Sequence, residues 1–440
     1  MREGDAVVIE SATRAGRSAS TRRRVLASAR DLFAARGFGA VSMRDVAADA
    51  GVSHPTVRNL FGSMDALLDA VVTDSEADLQ EALEGRTLDL DLIDVIARAG
   101  RDIPGYVELF TVLAGAATLP EHPAHERFRV RDAEFQALGA RMLQDARDRG
   151  ELPADLDIPG EARRLNAAWD GLQVISRYLP EEVDVPDALA HRIARLRGRA
   201  PTVGPFADVE PLPISTMLAE EPADEAGYAV GRRRRADIID QSTTIFARDG
   251  YHGASLRDIA GAVGVNASTL LHHFGSKEAL LAAVLAHRDA AMAAREADGD
   301  DDPVRLLREL GAAASRDART QPGLISIYAV LSTEAVAPSH PAHAYFQDRF
   351  ARAIRMFENV LQRAAARGAT RPDVDPHAEA IELTALWDGL QLQWGYDADA
   401  VDIGRELDAH LAGVLREGVG RDGAARDGAA RDGAAATDSD

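Results

Sequence analysis

The sequence predicts an all-α protein: two tandem copies of one unit, each a three-helix head with a helix-turn-helix followed by a longer helical body. Three observations predict it. The first is repetition. Residues 33–68 and 246–281 align without a gap, so Phe33–Phe38 answers to Phe246–Tyr251, Ser42–Ala47 to Ser255–Ala260, and Phe61–Ser63 to Phe274–Ser276. After a small change of register between residues 69 and 100, Glu121–His125 pairs with Ser339–His343 and Trp169–Gln173 with Trp387–Gln391. The second is periodicity. Val25, Leu26, Ala29, Leu32 and Phe33 share one helical face, as do Ile238, Ile239, Ser242, Ile245 and Phe246, and no convincing strand alternation interrupts the pattern. The third is charge. Each copy opens basic and continues acidic, as a DNA-binding head on an acidic body would.

Composition narrows the classes. The 440 residues carry a net charge of −21, which argues against a general nucleic-acid coat. Yet residues 11–68 hold Arg14, Arg17, Arg22, Arg23, Arg24, Arg30, Arg36, Arg44 and Arg58 against Asp31, Asp45, Asp49 and Asp65, and the second copy opens with Arg232–Arg235. Arginine abundance alone carries little weight, because Lys277 is the only lysine. With no cysteine there is no disulfide framework and no thiolate metal site. No apolar run reaches the roughly 18 residues a membrane span needs, and Met1–Asp5 lacks a secretory pattern, so a cytoplasmic location is expected.

Taken in order, residues 1–19 read as a disordered arm, 20–68 as the first head and 69–198 as the first body. Residues 199–230, with Pro201, Pro205, Pro211, Pro213 and Pro222, read as a linker; 231–281 as the second head and 282–417 as the second body. Residues 418–440, rich in Arg-Asp-Gly-Ala-Ala repeats, have no apolar face to bury and are expected to be disordered.

Within each head the first helix ends near Gly37 or Gly250, where glycine can take the left-handed C′ position. Ser42 and Ser255 cap the second helix, with Asp45 and Asp258 at capping-box spacing. Gly51 and Gly264 make the turn, Val52 and Val265 plug it, and Ser53 and Asn266 cap the third helix. Pro55 falls in the first turn of that helix, where proline is tolerated. Two short helices on a glycine-centred turn can put the second into a major groove.

The segment Gly264–Val-Asn-Ala-Ser-Thr-Leu-Leu-His-His-Phe-Gly-Ser-Lys-Glu-Ala-Leu280 resembles the DNA-binding head of the tetracycline-repressor (TetR) family, and its counterpart in copy one follows the same plan. Two tandem TetR-like units are the fold this implies. The Trp-Asp-Gly-Leu-Gln helices and Trp394 to Asp402 resemble more softly the C-terminal regions of some members. By that resemblance Ser42, Arg44, Ser255 and Arg257 touch backbone or base edges. Ser53, His54, Pro55, Thr56, Arg58 and Asn59, with Asn266, Ala267, Ser268, Thr269, His272 and His273, supply groove contacts. Lys277 binds phosphate. The copies depart from the pattern: Arg58 and Leu271 stand where a tyrosine is usual, and Met64 where lysine is usual.

The resemblance also implies double-stranded DNA and a small-molecule effector of unknown identity as partners. Phe110, Phe128, Trp169 and Gln173 in copy one, and Tyr328, Phe346, Trp387 and Gln391 in copy two, are the effector-binding candidates, with plain core packing as the alternative. It implies dimerisation through the last two helices of each body, here about 158–180 and 183–197 with 375–394 and 398–417. Tethering favours an intramolecular pseudo-dimer, a further homodimer remaining open. No cofactor and no membrane partner are expected. The pairs His122–His125 and His340–His343 have a spacing that zinc can use, but no third ligand is evident, so no metal is assigned and a helix-capping role is expected. An enzyme is not expected: no phosphate loop and no nucleophile–base spacing is present. The remaining alternative keeps the fold as a ligand sensor or protein-interaction module with one or both heads unable to bind DNA.

Overall fold

The computed structural model describes residues 3–212, 229–296 and 302–416. The expected disordered tail, and the linker between 213 and 228, lie outside the described residues. Most of the described residues are helical, and among them there is no strand, only an isolated bridge between Thr370 and Leu415.

Copy one contributes α1 (Glu3–Arg36), α2 (Met43–Asp49), α3 (His54–Phe61), α4 (Met64–Ala82), α5 (Leu92–Asp102), α6 (Tyr106–Ala116), α7 (His125–Asp148), α8 (Ile158–Tyr178) and α9 (Val185–Leu196). Copy two contributes α10 (Ala229–Gly253), α11 (Leu256–Val263), α12 (Ala267–Phe274), α13 (Lys277–Glu296), α14 (Pro303–Thr320), α15 (Pro322–Glu334), α16 (His343–Ala366), α17 (Pro376–Tyr396) and α18 (Ile403–Ala412). The arm expected to be disordered is corrected: α1 is helical from Glu3. Its first turns contain no proline to stop it.

Two compact units arise, and neither is one copy of the repeat. The first gathers Met1–Phe135, Glu225–Val284 and Ser326–Ala344; the second gathers Gln136–Asp224, Leu285–Ile325 and Tyr345–Asp440. In the first unit both predicted apolar faces are core: Val25, Phe33, Ile238, Ser242 and Phe246 are fully buried. The α6 and α15 helices approach closely, since a Cβ at Gly115 would overlap Thr333 and the Ala329 carbonyl.

In the second unit α8 lies on α17. The contact is glycine-dependent: a Cβ at Gly171 would strike the carbonyl oxygen of Ala385, and one at Gly389 that of Ala167. Those two contacts are related by the repeat, so the crossing has approximate two-fold symmetry. Around it Tyr178, 1% exposed, packs its ring 6.0 Å from Phe346 and 5.3 Å from Phe350. The linker is pinned where it is described: Val203 N–H donates to Pro372 O (2.8 Å), and Asn359 bridges Leu212 N–H and Glu210 O.

Candidate nucleic-acid interface

Each head is built by local hydrogen bonds that the sequence dictates. In copy one, Asp45 N–H donates to Ser42 Oγ (3.3 Å) while Ser42 N–H donates to Asp45 Oδ2 (2.8 Å), closing the capping box of α2. The Ser42 hydroxyl and N–H hold the Asp45 carboxyl below the usual carboxylate range. In copy two, Asp258 N–H donates to Ser255 Oγ (3.1 Å). The turns close through Val52 N–H to Ala47 O and Val265 N–H to Ala260 O, both 2.9 Å. They need a left-handed residue, and Gly51 (φ 64°) and Gly264 (φ 70°) supply it. Thr56 N–H then donates to Ser53 Oγ (3.3 Å), and Thr269 N–H to Asn266 Oδ1 (2.9 Å), starting α3 and α12.

The reading helices show one apolar and one open face. Val57 and Leu270 anchor them in the core, at 0% and 1% exposure. On α3, Ser53, Pro55, Arg58 and Asn59 are exposed, with His54 and Thr56 half-buried. On the α12 side, Asn266, Ser268 and His272 are exposed, while Ala267, Thr269 and His273 are half-buried. Ser42, Arg44 and Arg257 are exposed, and Ser255 is half-buried beside them. Sequence reasoning left Leu271 out of this set, yet it stands 43% exposed on α12. The available signal was its place where the family resemblance expects a tyrosine. Arg22 and Arg235, at matching positions, lie over the rings of Phe61 (4.7 Å) and Phe274 (5.1 Å). These arginines brace the ends of the reading helices.

The heads join their bodies differently. In copy two, Glu334 at the end of α15 accepts from Tyr251 N–H (2.6 Å) and His252 N–H (2.9 Å), at the point where Gly250 (φ 67°) kinks α10. Burial pushes the Glu334 carboxyl up, against those two N–H donors and nearby Lys277. Lys277 is half-buried with its ammonium 4.3 Å from the centre of the Tyr251 ring, and burial lowers its pKa. In copy one the corresponding residues are apolar: Phe38 meets Phe33 and His122 edge-on, at 5.4 and 5.5 Å. Between these two junctions lies a cavity of about 400 Å³, lined by Phe38, Val112, Ala116, His122, His252 and Glu334 among others.

None of the eight effector candidates lines that cavity. Phe110 and Phe128 pack 6.0 Å apart, with the Arg131 guanidinium 4.5 Å from the Phe110 ring. Tyr328 and Gln391 are buried, whereas Trp169, Gln173 and Trp387 are half-buried, Trp387 lying 6.4 Å from Phe357. Phe346 is fully buried, its ring 6.0 Å from that of Tyr178 of the other copy.

The histidine pairs hold turns. His125 and His343 place Nδ1 at 2.8 and 2.9 Å from the carbonyls of Ala117 and Ala335, tying the start of α7 and α16 to the end of the preceding helix. His122 and His340 accept at Nδ1 from Ala124 and Ala342 N–H. Burial lowers their pKa values to about 4 and about 3. A neutral ring that accepts at Nδ1 carries its proton on Nε2. His252, Glu334 and His340 offer ligand atoms within 4.8 Å of one another, a grouping no sequence spacing suggests. The protonated Nε2 of His340 and the neighbouring Lys277 ammonium make it a poor seat for a cation.

A doubled helix-turn-helix head on helical bodies defines a class of bacterial regulator, and comparison with known proteins gives the family. The model of the bacterial regulatory proteins of the tetR family matches residues 25–71 and again 238–284, and a model of the BetI-type transcriptional repressor C-terminal region matches 326–416. The chain is similar to the HTH-type transcriptional repressor KstR2 of Rhodococcus jostii, 28% identical over 174 residues, covering 36% of this chain and 77% of the relative. It is also similar to the HTH-type transcriptional repressor AcnR of Corynebacterium diphtheriae, 30% identical over 179 residues, covering 40% of this chain and 88% of the relative. The HTH-type transcriptional regulator BetI of Paraburkholderia xenovorans is 27% identical over 176 residues, 38% and 85% of the two chains. The chain belongs to the tetR family, as a tandem duplication of its unit. Its relatives are transcriptional regulators, which agrees with the reading against an enzyme. Among the described residues no helix is long and apolar enough to cross a membrane.

Proposed function

We propose that this chain is a ligand-responsive transcriptional repressor that binds double-stranded DNA as a single-chain pseudo-dimer, one head to each half-site of an imperfectly palindromic operator. The observation that carries the reading is the packing of α8 on α17 within one chain, through Gly171 and Gly389. This is the pairing that a homodimer would make between chains. Both reading helices keep an exposed polar face, which supports two working heads.

The two faces differ, so the half-sites differ. Arg58 and Asn59 suit guanine and adenine edges, whereas Leu271 suits a thymine methyl and His272 offers a weaker polar contact. Effector held in either body would act on the heads through the α6 and α15 ends, where Glu334 grips the kink of α10. The test is a gel shift on DNA flanking the gene, with the complex weighed by native mass spectrometry. The reading expects the two heads of one chain to occupy the two half-sites, whether one pseudo-dimer or a pair of them sits on the operator. Absence of a shift at low salt would favour the sensor or interaction-module alternative.

A further inference from the structure

The second unit contains a buried ion network that joins the two copies. Arg164 Nη1 donates to Glu406 Oε2 (2.9 Å), and Arg163 reaches the same carboxylate at 3.4 Å. Arg192 bonds Glu382 and, at 2.6 Å, Glu161; Arg195 bonds Glu379, whose other oxygen lies 2.6 Å from the His410 ring. Arg164, Arg192, Glu161, Glu379, Glu382 and Glu406 are each 5% exposed or less. The charges are sorted by copy. The copy-one side presents Arg163, Arg164, Arg192 and Arg195 with one acid, Glu161; the copy-two side presents Glu379, Glu382 and Glu406.

The repeat shows how this sorting departs from symmetry. With Trp169 matched to Trp387 and Asp184 to Asp402, Arg164 corresponds to Glu382, Ala188 to Glu406, Arg192 to His410 and Arg195 to Gly413. The crossing is two-fold related, so a homotypic pair would bring each residue against the counterpart of its present partner. Copy one paired with itself would bury Arg192 against Arg164, twice. Copy two paired with itself would bury Glu382 against Glu406, twice. Like charges juxtaposed in a dry interface are strongly unfavourable, and a buried charge left without its partner is costly.

We infer that these faces are charge-coded so that copy one accepts only copy two, and that pairing of either copy with its own kind is excluded. The inference rests on the pseudo-dimer reading for its biological meaning, but it concerns protein pairing alone. The code selects partners by what it repels as well as by what it attracts. It also lets a copy one pair with the copy two of another chain, so any larger assembly formed by exchange would keep the one-to-two rule.

Full-length chains in which each face is given the other copy's residues test this without DNA. One variant, Glu382→Arg, Glu406→Ala, His410→Arg, presents two copy-one faces. The other, Arg164→Glu, Ala188→Glu, Arg192→His, presents two copy-two faces. Each alone is expected to lose the internal pairing: a larger hydrodynamic radius, and a thermal midpoint lower by on the order of 10 °C. Mixed, they should form a species of two chains, one of each, seen by native mass spectrometry and absent from either alone. Recovery on mixing also separates lost pairing from simple misfolding. Variants that alone keep the wild-type radius and midpoint, or a mixture that yields no two-chain species, would overturn the inference. A failure to bind DNA would leave it untouched.

Discussion

Under the proposed function Arg58 is the foremost candidate for base reading in copy one: it is exposed on α3 while Val57 beside it is fully buried. Arg58→Ala is expected to weaken operator binding by about 1–3 kcal/mol if it reads a base, and mainly to lower the salt slope if it holds phosphate. Titrations at several salt concentrations distinguish the two. His340 sets a pH dependence. Its folded pKa is depressed to about 3 by burial, below its usual value of 6.5. Below 6.5 the unfolded chain therefore binds more protons than the folded one, and stability is lost as pH falls toward 3. Between pH 6.5 and 5 the loss reaches roughly 2 kcal/mol, at about 1.4 kcal/mol per pH unit. His340→Gln should flatten the fall of the melting temperature over that range; an unchanged pH profile would contradict the assignment. The exposure of Arg58 and Asn59 was legible in the sequence because turn glycine, caps and core valine fix their phase on a short helix. Glu334 was not, since its backbone partners Tyr251 and His252 lie more than eighty residues away and no local pattern links them.

At the level of the element, capping and close approach decide the architecture. Ser255 supplies the side-chain cap of α11, so Ser255→Ala should destabilise the second head by about 1 kcal/mol, read by thermal unfolding. The α8–α17 crossing has no room for a side chain at Gly389, and Gly389→Val would have to force the two backbones apart. Overpacking of this kind costs about 1–3 kcal/mol. We expect a lower melting temperature, read by thermal unfolding; a variant as stable as wild type would show that the helices do not cross there. The approximate extents of α8, α9, α17 and α18 came from the family resemblance, whereas the helices of both heads were readable from caps and apolar periodicity. The N-terminal arm was not. Its helix lacks the apolar stripe by which periodicity is recognised, and its Gly, Ser, Thr and β-branched residues are weak helix formers.

For the whole molecule, the duplication was plain from the sequence, but its partition into units was not. The repeat suggests two copies side by side, whereas the units each draw segments from both copies. Pairing of the last two body helices of the copies was expected from the family resemblance, but nothing in chain order indicated that both heads would fall in one unit. Nor could composition reveal the sorting of arginines to one copy's face and glutamates to the other's, which needs the burial of Arg192 and Glu382 to be meaningful. The effector site was the least legible part: buried aromatics at helical spacing look the same whether they line a cavity or fill a core. The central claim is that two unlike heads in one chain read two unlike half-sites. Binding selection from random DNA with the purified protein tests it most directly. The account predicts an imperfect palindrome in one fixed orientation, with one half-site altered by substitutions at residues 54–59 and the other by substitutions at 267–272. Recovery of a perfect palindrome, insensitive to residues 54–59, would contradict it.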